Sequence, residues 1–191
     1  MFEFSFLSVE VFFAVFWVIF RLIRCIRSGT VDPKREAVLL LMAVNLAVII
    51  RFAFFPMDRL DGQIQPLLFD SSALFPLRVN WVPFRKLLDY DNRRDLLLNL
   101  IGNVALFIPT GIILPILLRK RSSFWRVLAS GVLISLGIEI LQLPFAVRAT
   151  DIDDLLMNAM GIAIGYGFYT LINMMYHRRR QLLFQRHPLK K

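Results

Sequence analysis

The sequence predicts an all-α integral membrane protein with about five transmembrane helices in one bundle. A structured, partly interfacial outer loop should join the second helix to the third. Three observations predict this class. Hydrophobic residues make up 57% of the 191 residues, with 18 Phe and a mean hydropathy of +0.60, which excludes an ordinary soluble domain. Five apolar runs are each long enough to cross about 30 Å of hydrocarbon at about 1.5 Å per residue. The basic residues are concentrated in alternate connections between those runs.

The runs cover residues 4–23, 36–55, 96–118, 125–145 and 155–176, and the whole chain, 1–191, reads as a single membrane domain. The first run is expected to be a retained helix, not a signal peptide. Glu3 and Glu10 stand where a basic start is required, and no small-residue cleavage site follows. The third run contains Pro109 and Pro115, expected to kink it and widen the space beside it. In the fifth, Gly161 and Gly165 form a G-x-x-x-G suited to close helix packing.

Charge predicts the orientation. Arg21, Arg24, Arg27, Lys34 and Arg35 lie around the first connection, and Arg119, Lys120, Arg121 and Arg126 around the third. Arg178, Arg179, Arg180, Arg186, Lys190 and Lys191 fill the tail, 177–191. The positive-inside rule places these segments in the cytoplasm, so the N-terminus is expected outside and the C-terminus inside. The net charge of +9 then reflects topology and contact with anionic lipid. No nucleic-acid recognition module accompanies the basic tail, so nucleic acid is not an expected partner.

Two scarce residue types restrict the chemistry. Cys25 is the only cysteine and cannot form an intramolecular disulfide; His177 and His187 both lie in the tail. The outer face therefore has no Ser-His-Asp triad, no Cys-His pair and no His-rich zinc site. Carboxylates, amides, Arg and hard metal ions are what remain.

Orienting the helices brings their polar residues to one depth. Arg51 lies near the outer end of the second helix, and Asn99 and Asn103 in the first turns of the third. Glu139 and Gln142 lie in the outer half of the fourth, Asp154 and Asn158 at the start of the fifth, and Glu10 in the outer half of the first. The spacings i, i+4 (Asn99/Asn103), i, i+3 (Glu139/Gln142) and i, i+4 (Asp154/Asn158) put each pair on one helix face. A charge at membrane depth costs roughly 2.5–3.5 kcal/mol on insertion scales, so these faces are expected to turn inward. Two explanations stand side by side. The groups either line a polar pocket open to the outer surface, or tie the helices together through interhelical hydrogen bonds. Similarly, Thr150 or Asp151 can cap the fifth helix, with Asp153 and Asp154 at its positive dipole end, yet three acids beside Arg148 exceed what capping needs.

The connection 56–95 is too long and too apolar for a free loop, with Leu67, Leu68, Phe69, Trp81 and Phe84 among its residues. It suits either an interfacial segment or a lid folded onto the bundle.

Four ordered motifs carry a family resemblance: R-V-N-W-V-P-F (78–84), N-L-I-G-N-V-A-L-F-I-P-T-G (99–111), E-I-L-Q (139–142) and R-A-T-D-I-D-D-L-L-M-N-A-M-G (148–161). Over residues 78–167 the chain resembles the VanZ-like family of bacterial membrane proteins. Trp81 and Val82 stand where that family more often has two aliphatic residues. The resemblance implies a link to low-level resistance to lipoglycopeptide antibiotics of the teicoplanin type and supplies no mechanism.

The residues themselves leave two mechanisms open. In the first, the protein binds an amphiphile, either a lipid-linked cell-wall precursor or a lipoglycopeptide, among the membrane lipids. Arg78, Arg148 and Arg51 would meet phosphate or carboxylate, and Asn80, Asn99, Asn103, Gln142 and Asn158 would bond sugar or peptide groups. Glu139 and Asp154 would take an amine or orient an Arg, and Asp151 belongs to the same set of candidate ligand-binding residues. No cofactor is required. In the second, an intramembrane enzyme modifies a headgroup, with Glu139 and Asp154 as catalytic candidates for acid/base work. Asp151 and Asp154 would then hold Mg²⁺ or Ca²⁺. A structural subunit or transporter is a weaker third reading, for which no internal repeat speaks.

Overall fold

The computed structural model describes residues 2–55, 59–60, 62–70, 79–80, 93–119, 122–145 and 150–186. It is an all-α membrane bundle built on five helices: α1 (Phe6–Ser28), α2 (Pro33–Phe54), α3 (Arg93–Leu118), α4 (Phe124–Gln142) and α5 (Ile152–Arg186). All five contain a stretch long and apolar enough to cross a membrane.

Local chemistry sets the boundaries. Ser5 caps α1 by accepting from the Ser8 backbone N–H, and Gly29 ends the helix in the left-handed region at φ 64°. Asp32 caps α2, accepting from the backbone of Lys34 and Arg35, and Pro33 follows at the first helical position. The α4 helix stops at Gln142, short of the expected residue 145: Leu143 keeps helical backbone angles, φ −52° and ψ −42°, but Pro144 after it has no N–H to continue the ladder. The α3 helix runs through Pro109 and Pro115 to Leu118. The largest departure is in α5, which starts at Ile152 and continues to Arg186. The expected tail is thus helical over 177–186, since Arg, Gln and Leu are good helix formers and no Pro or Gly interrupts them.

The tightest helix pair is α3 with α5. A Cβ on Gly161 would collide with the carbonyl of Val104, and one on Gly165 with that of Ile108. One on Gly111 would strike the carbonyl of Ile162. Glycines at i, i+4 on α5 therefore match carbonyls at i, i+4 on α3, and the backbones touch where any side chain would hold them apart. Around this seam the apolar core gathers Met42 and Ile49 of α2, Phe107, Ile113 and Leu114 of α3, Val127 of α4 and Ile162 of α5.

The α1 helix is different. None of its residues is buried, and Phe12, Phe16 and Phe20 form an exposed stack with ring centroids 6.4 and 6.5 Å apart. It leans on α2, joined by the Arg21–Glu36 ion pair, and leaves its aromatic face to lipid.

Short strands close one end of the bundle. β1 (Phe2–Phe4) pairs antiparallel with β4 (Leu67–Phe69); β2 (Arg59–Leu60) and β3 (Gln63–Ile64) form a hairpin; β5 (Val79–Asn80) runs parallel to β6 (Thr150–Asp151). The expected structure in the 56–95 connection is present in these described segments. Leu67 packs with Phe54 at the end of α2 and Phe55 just after it, and Phe145 meets Phe54 and Phe69 edge-on at 5.9 and 6.0 Å. Asp70 N–H bonds to the Pro144 carbonyl at 2.9 Å. At the opposite, basic end, Arg119 adopts φ 53° after α3 and pairs with Asp32 at 2.9 Å.

Candidate functional site

The strand-capped end of the bundle holds the polar side chains. The α4 helix contributes Ser135, Glu139 and Gln142, spaced i, i+4, i+7 on one face and buried at 0%, 4% and 9% relative exposure. From α5 come Asp154 and, one turn deeper, the buried Asn158. The α3 helix adds Asn99 and Asn103.

These groups meet across helices. The Asn103 amide donates to Asp154 Oδ1 at 2.6 Å and to Asn99 Oδ1 at 3.2 Å. Asn158 Nδ2 donates to Ser135 Oγ at 2.8 Å, and Gln142 Nε2 to the Ala53 carbonyl at 2.6 Å. A fourth tie lies deeper, where Thr110 Oγ1 donates to Asn45 Oδ1 at 2.6 Å and Asn45 Nδ2 to the Leu106 carbonyl at 3.2 Å. Together they close a circuit: α2 to α3, α3 to α5, α5 to α4, and α4 back to α2. Each bond pairs groups that lipid could not solvate.

Because α4 and α5 run antiparallel, the Asn158–Ser135 contact fixes the level of the residues above it. Glu139 lies one turn above Ser135 and Asp154 one turn above Asn158, so the two acids stand at about one level along their helices. Asp153 is also buried, at 5% exposure, in the first turn of α5 where the dipole favours an anion. Glu139, Asp153 and Asp154 each have further polar or electrostatic partners. Asn158 Oδ1 is buried and accepts no hydrogen bond. Asn99, in the first turns of α3, is exposed.

The other expected residues fall in three groups. Asn80 lies in β5, in register with Asp151 of β6, so the 79–80 segment stands beside the entry to α5. Arg78 and Arg148 lie outside the described residues, as does the side chain of Asp151. Arg51 turns toward α1: its guanidinium donates to the Phe55 carbonyl at 3.1 Å and lies 5.4 and 5.6 Å from the Phe6 and Phe52 ring centres. No described contact brings it to the Asn103–Asp154 cluster. Glu10 faces Arg51 electrostatically, with Oε1 buried and unbonded. Among the described residues, no three His, Cys, Asp or Glu side chains gather in a metal-binding group.

Sequence reasoning missed Asn45, Thr110 and Ser135. Asn45 was visible as an amide inside an apolar run, and Ser135 as the residue one turn before Glu139. Thr110, between Pro109 and Gly111, gave no signal, since a Thr hydroxyl in a membrane helix can bond its own helix backbone.

Residues 37–173 match the model of the VanZ/LLP1 family. The chain belongs to the VanZ/LLP1 family. The match runs from α2 into α5 and contains every member of the polar circuit; α1, which takes no part in the circuit, lies outside it. Protein VanZ of Enterococcus faecium is 39% identical over 74 residues, or 39% of this chain and 45% of that relative. The aligned part thus spans less than half of the VanZ chain. No solved structure matches this VanZ/LLP1 protein.

Proposed function

We propose that this VanZ/LLP1 protein binds a lipid-linked or lipidated ligand at the outer leaflet, in the polar cluster between α3, α4 and α5. The ligand is a cell-wall precursor or a lipoglycopeptide antibiotic, and the role is low-level resistance of the teicoplanin type. One observation carries the reading. Hydrogen bonds link the exposed Asn99 through Asn103 to Asp154, with the buried Asn158 one turn deeper on α5. Interhelical ties alone need no exposed member. Asn80, beside the entry to α5, would meet the ligand's hydrogen-bonding groups, and Arg78 and Arg148 are the residues assigned to its anionic groups. Outer-leaflet placement follows from the basic residues at the far end, among them Arg24, Arg27, Arg119 and Arg178.

The test is saturable binding of a fluorescent lipid-linked precursor and of teicoplanin to the full chain in nanodiscs. Binding is expected to weaken in Asn99→Ala and Glu139→Ala, and unchanged binding in both would remove the proposal. Consumption of radiolabelled precursor, abolished by chelator, would instead favour an enzyme that uses Glu139 and Asp154.

A further inference from the structure

We propose that the basic end of the bundle, opposite the polar cluster, is a docking surface for anionic phospholipid, with the projecting end of α5 as its main contact. The inference stands apart from the binding reading above.

The α5 helix outlasts its partners. Gly161 lies against Val104 and Gly165 against Ile108, the same offset of 57 residues between parallel helices. Carried to the end of α3, that offset sets Leu118 about level with Met175. The Arg119–Asp32 pair brings the start of α2, and the turn from α1, to the same level. Beyond it α5 continues to Arg186, about 16 Å further at about 1.5 Å per residue. The first five residues of that extension, Tyr176 to Arg180, cover about 8 Å, close to the depth of one headgroup layer. Tyr176, 63% exposed, and Trp125 in the first turn of α4, 74% exposed, are the aromatic anchors expected at that interface.

The acids of this end are already taken. Asp32 and Glu36 are the acids between Glu10 and Asp58, and none follows Asp154. Glu36 pairs with Arg21, while Asp32 accepts from Arg119 and from the backbone of Lys34 and Arg35. Arg27, Lys34, Arg35, Arg178, Arg179 and Arg180 are all exposed, and none of their side chains pairs with an acid among the described residues. Unpaired cations beside membrane helices attract anionic lipid through its surface charge, and the guanidinium fork matches phosphate. The geometry favours lipid over a soluble acidic partner. Three consecutive Arg step around α5 by about 100° each, so they point to more than one side of the helix. A docked protein covers one side of a projecting helix, whereas headgroups surround it.

The experiment measures binding to the full chain by native mass spectrometry. The probes are phosphatidylglycerol and phosphatidylcholine with identical acyl chains, soluble glycerol phosphate, and a glutamate-rich peptide. Phosphatidylglycerol is expected to bind at least five-fold tighter than phosphatidylcholine. Arg178→Gln, Arg179→Gln and Arg180→Gln made together should reduce that preference at least three-fold; Gln is as good a helix former as Arg, so α5 persists. The three Arg→Lys changes, which keep the charge, should retain most of the preference and guard against a purely structural effect. Equal binding of the two lipids overturns the surface, as does a preference that the Gln variant keeps in full. Tighter binding of either soluble probe than of phosphatidylglycerol would mark a site for soluble anions and would also overturn it.

Discussion

Asn103 of α3 and Asp154 of α5 lie 2.6 Å apart, amide to carboxylate, just above the glycine seam that joins the two helices. The seam brings the backbones close enough for two short side chains to meet, and the bond orients the acid over Asn158.

That relationship sets the first prediction. Interhelical bonds in membranes average about 0.6 kcal/mol and reach about 1.7, so Asn103→Ala should lower stability within that range. Asn103→Asp should be worse, because it replaces a donor with a second acceptor beside Asp154. A double-mutant cycle with Asp154→Ala, read by reversible denaturation in micelles, checks it. A coupling of zero would remove the tie.

The glycine seam sets the second. Gly165→Ala would drive a methyl into the Ile108 carbonyl, an overpacking expected to cost about 1–3 kcal/mol. Gly137→Ala meets nothing within 4 Å and should be neutral or stabilising by about 0.5–1 kcal/mol from helix propensity. Melting temperatures of the pair, measured in one detergent, test whether contact or mere glycine content matters.

Asp32 sets a pH prediction. Backbone N–H donation, first from Arg35, and the Arg119 guanidinium hold its carboxyl below the usual value of 3.8. A depressed folded-state pKa means its contribution is present above the unfolded value and is lost as pH falls through the folded one. Wild-type stability should therefore drop below pH 3.8 more steeply than that of Asp32→Asn, which keeps an acceptor for the cap and removes the titration. Parallel acid slopes for the two proteins would contradict this.

Orientation gives the fourth. In a Cys25→Ser background, a cysteine at Glu3 should react with an impermeant maleimide on intact cells, and one at Thr30 only after permeabilisation. The reverse pattern would invert the topology and move the polar cluster to the inner leaflet.

Much of this was legible because a membrane exaggerates sequence signals. Five apolar runs gave five helices, since a backbone in lipid must satisfy its own hydrogen bonds. Asn103, Glu139, Asp154 and Asn158 were visible because a polar group in an apolar run needs a partner. Their partners were not visible. Ser135 and Thr110 look like ordinary small residues, and an amide can pair with a backbone carbonyl on another helix, as Gln142 does with Ala53. The strand pairing of Val79–Asn80 with Thr150–Asp151 joins segments about seventy residues apart, and no local pattern specifies it.

By itself, then, the sequence determined the membrane class, the helices and the polar residues that had to turn inward, because hydropathy and helical spacing are local properties. Only the tertiary structure decided which of those residues touch. The glycine seam sets the register of α3 against α5, and the Asn158–Ser135 bond sets that of α5 against α4. Register turns a set of buried acids and amides into a closed circuit of ties, with one acceptor left over at its floor.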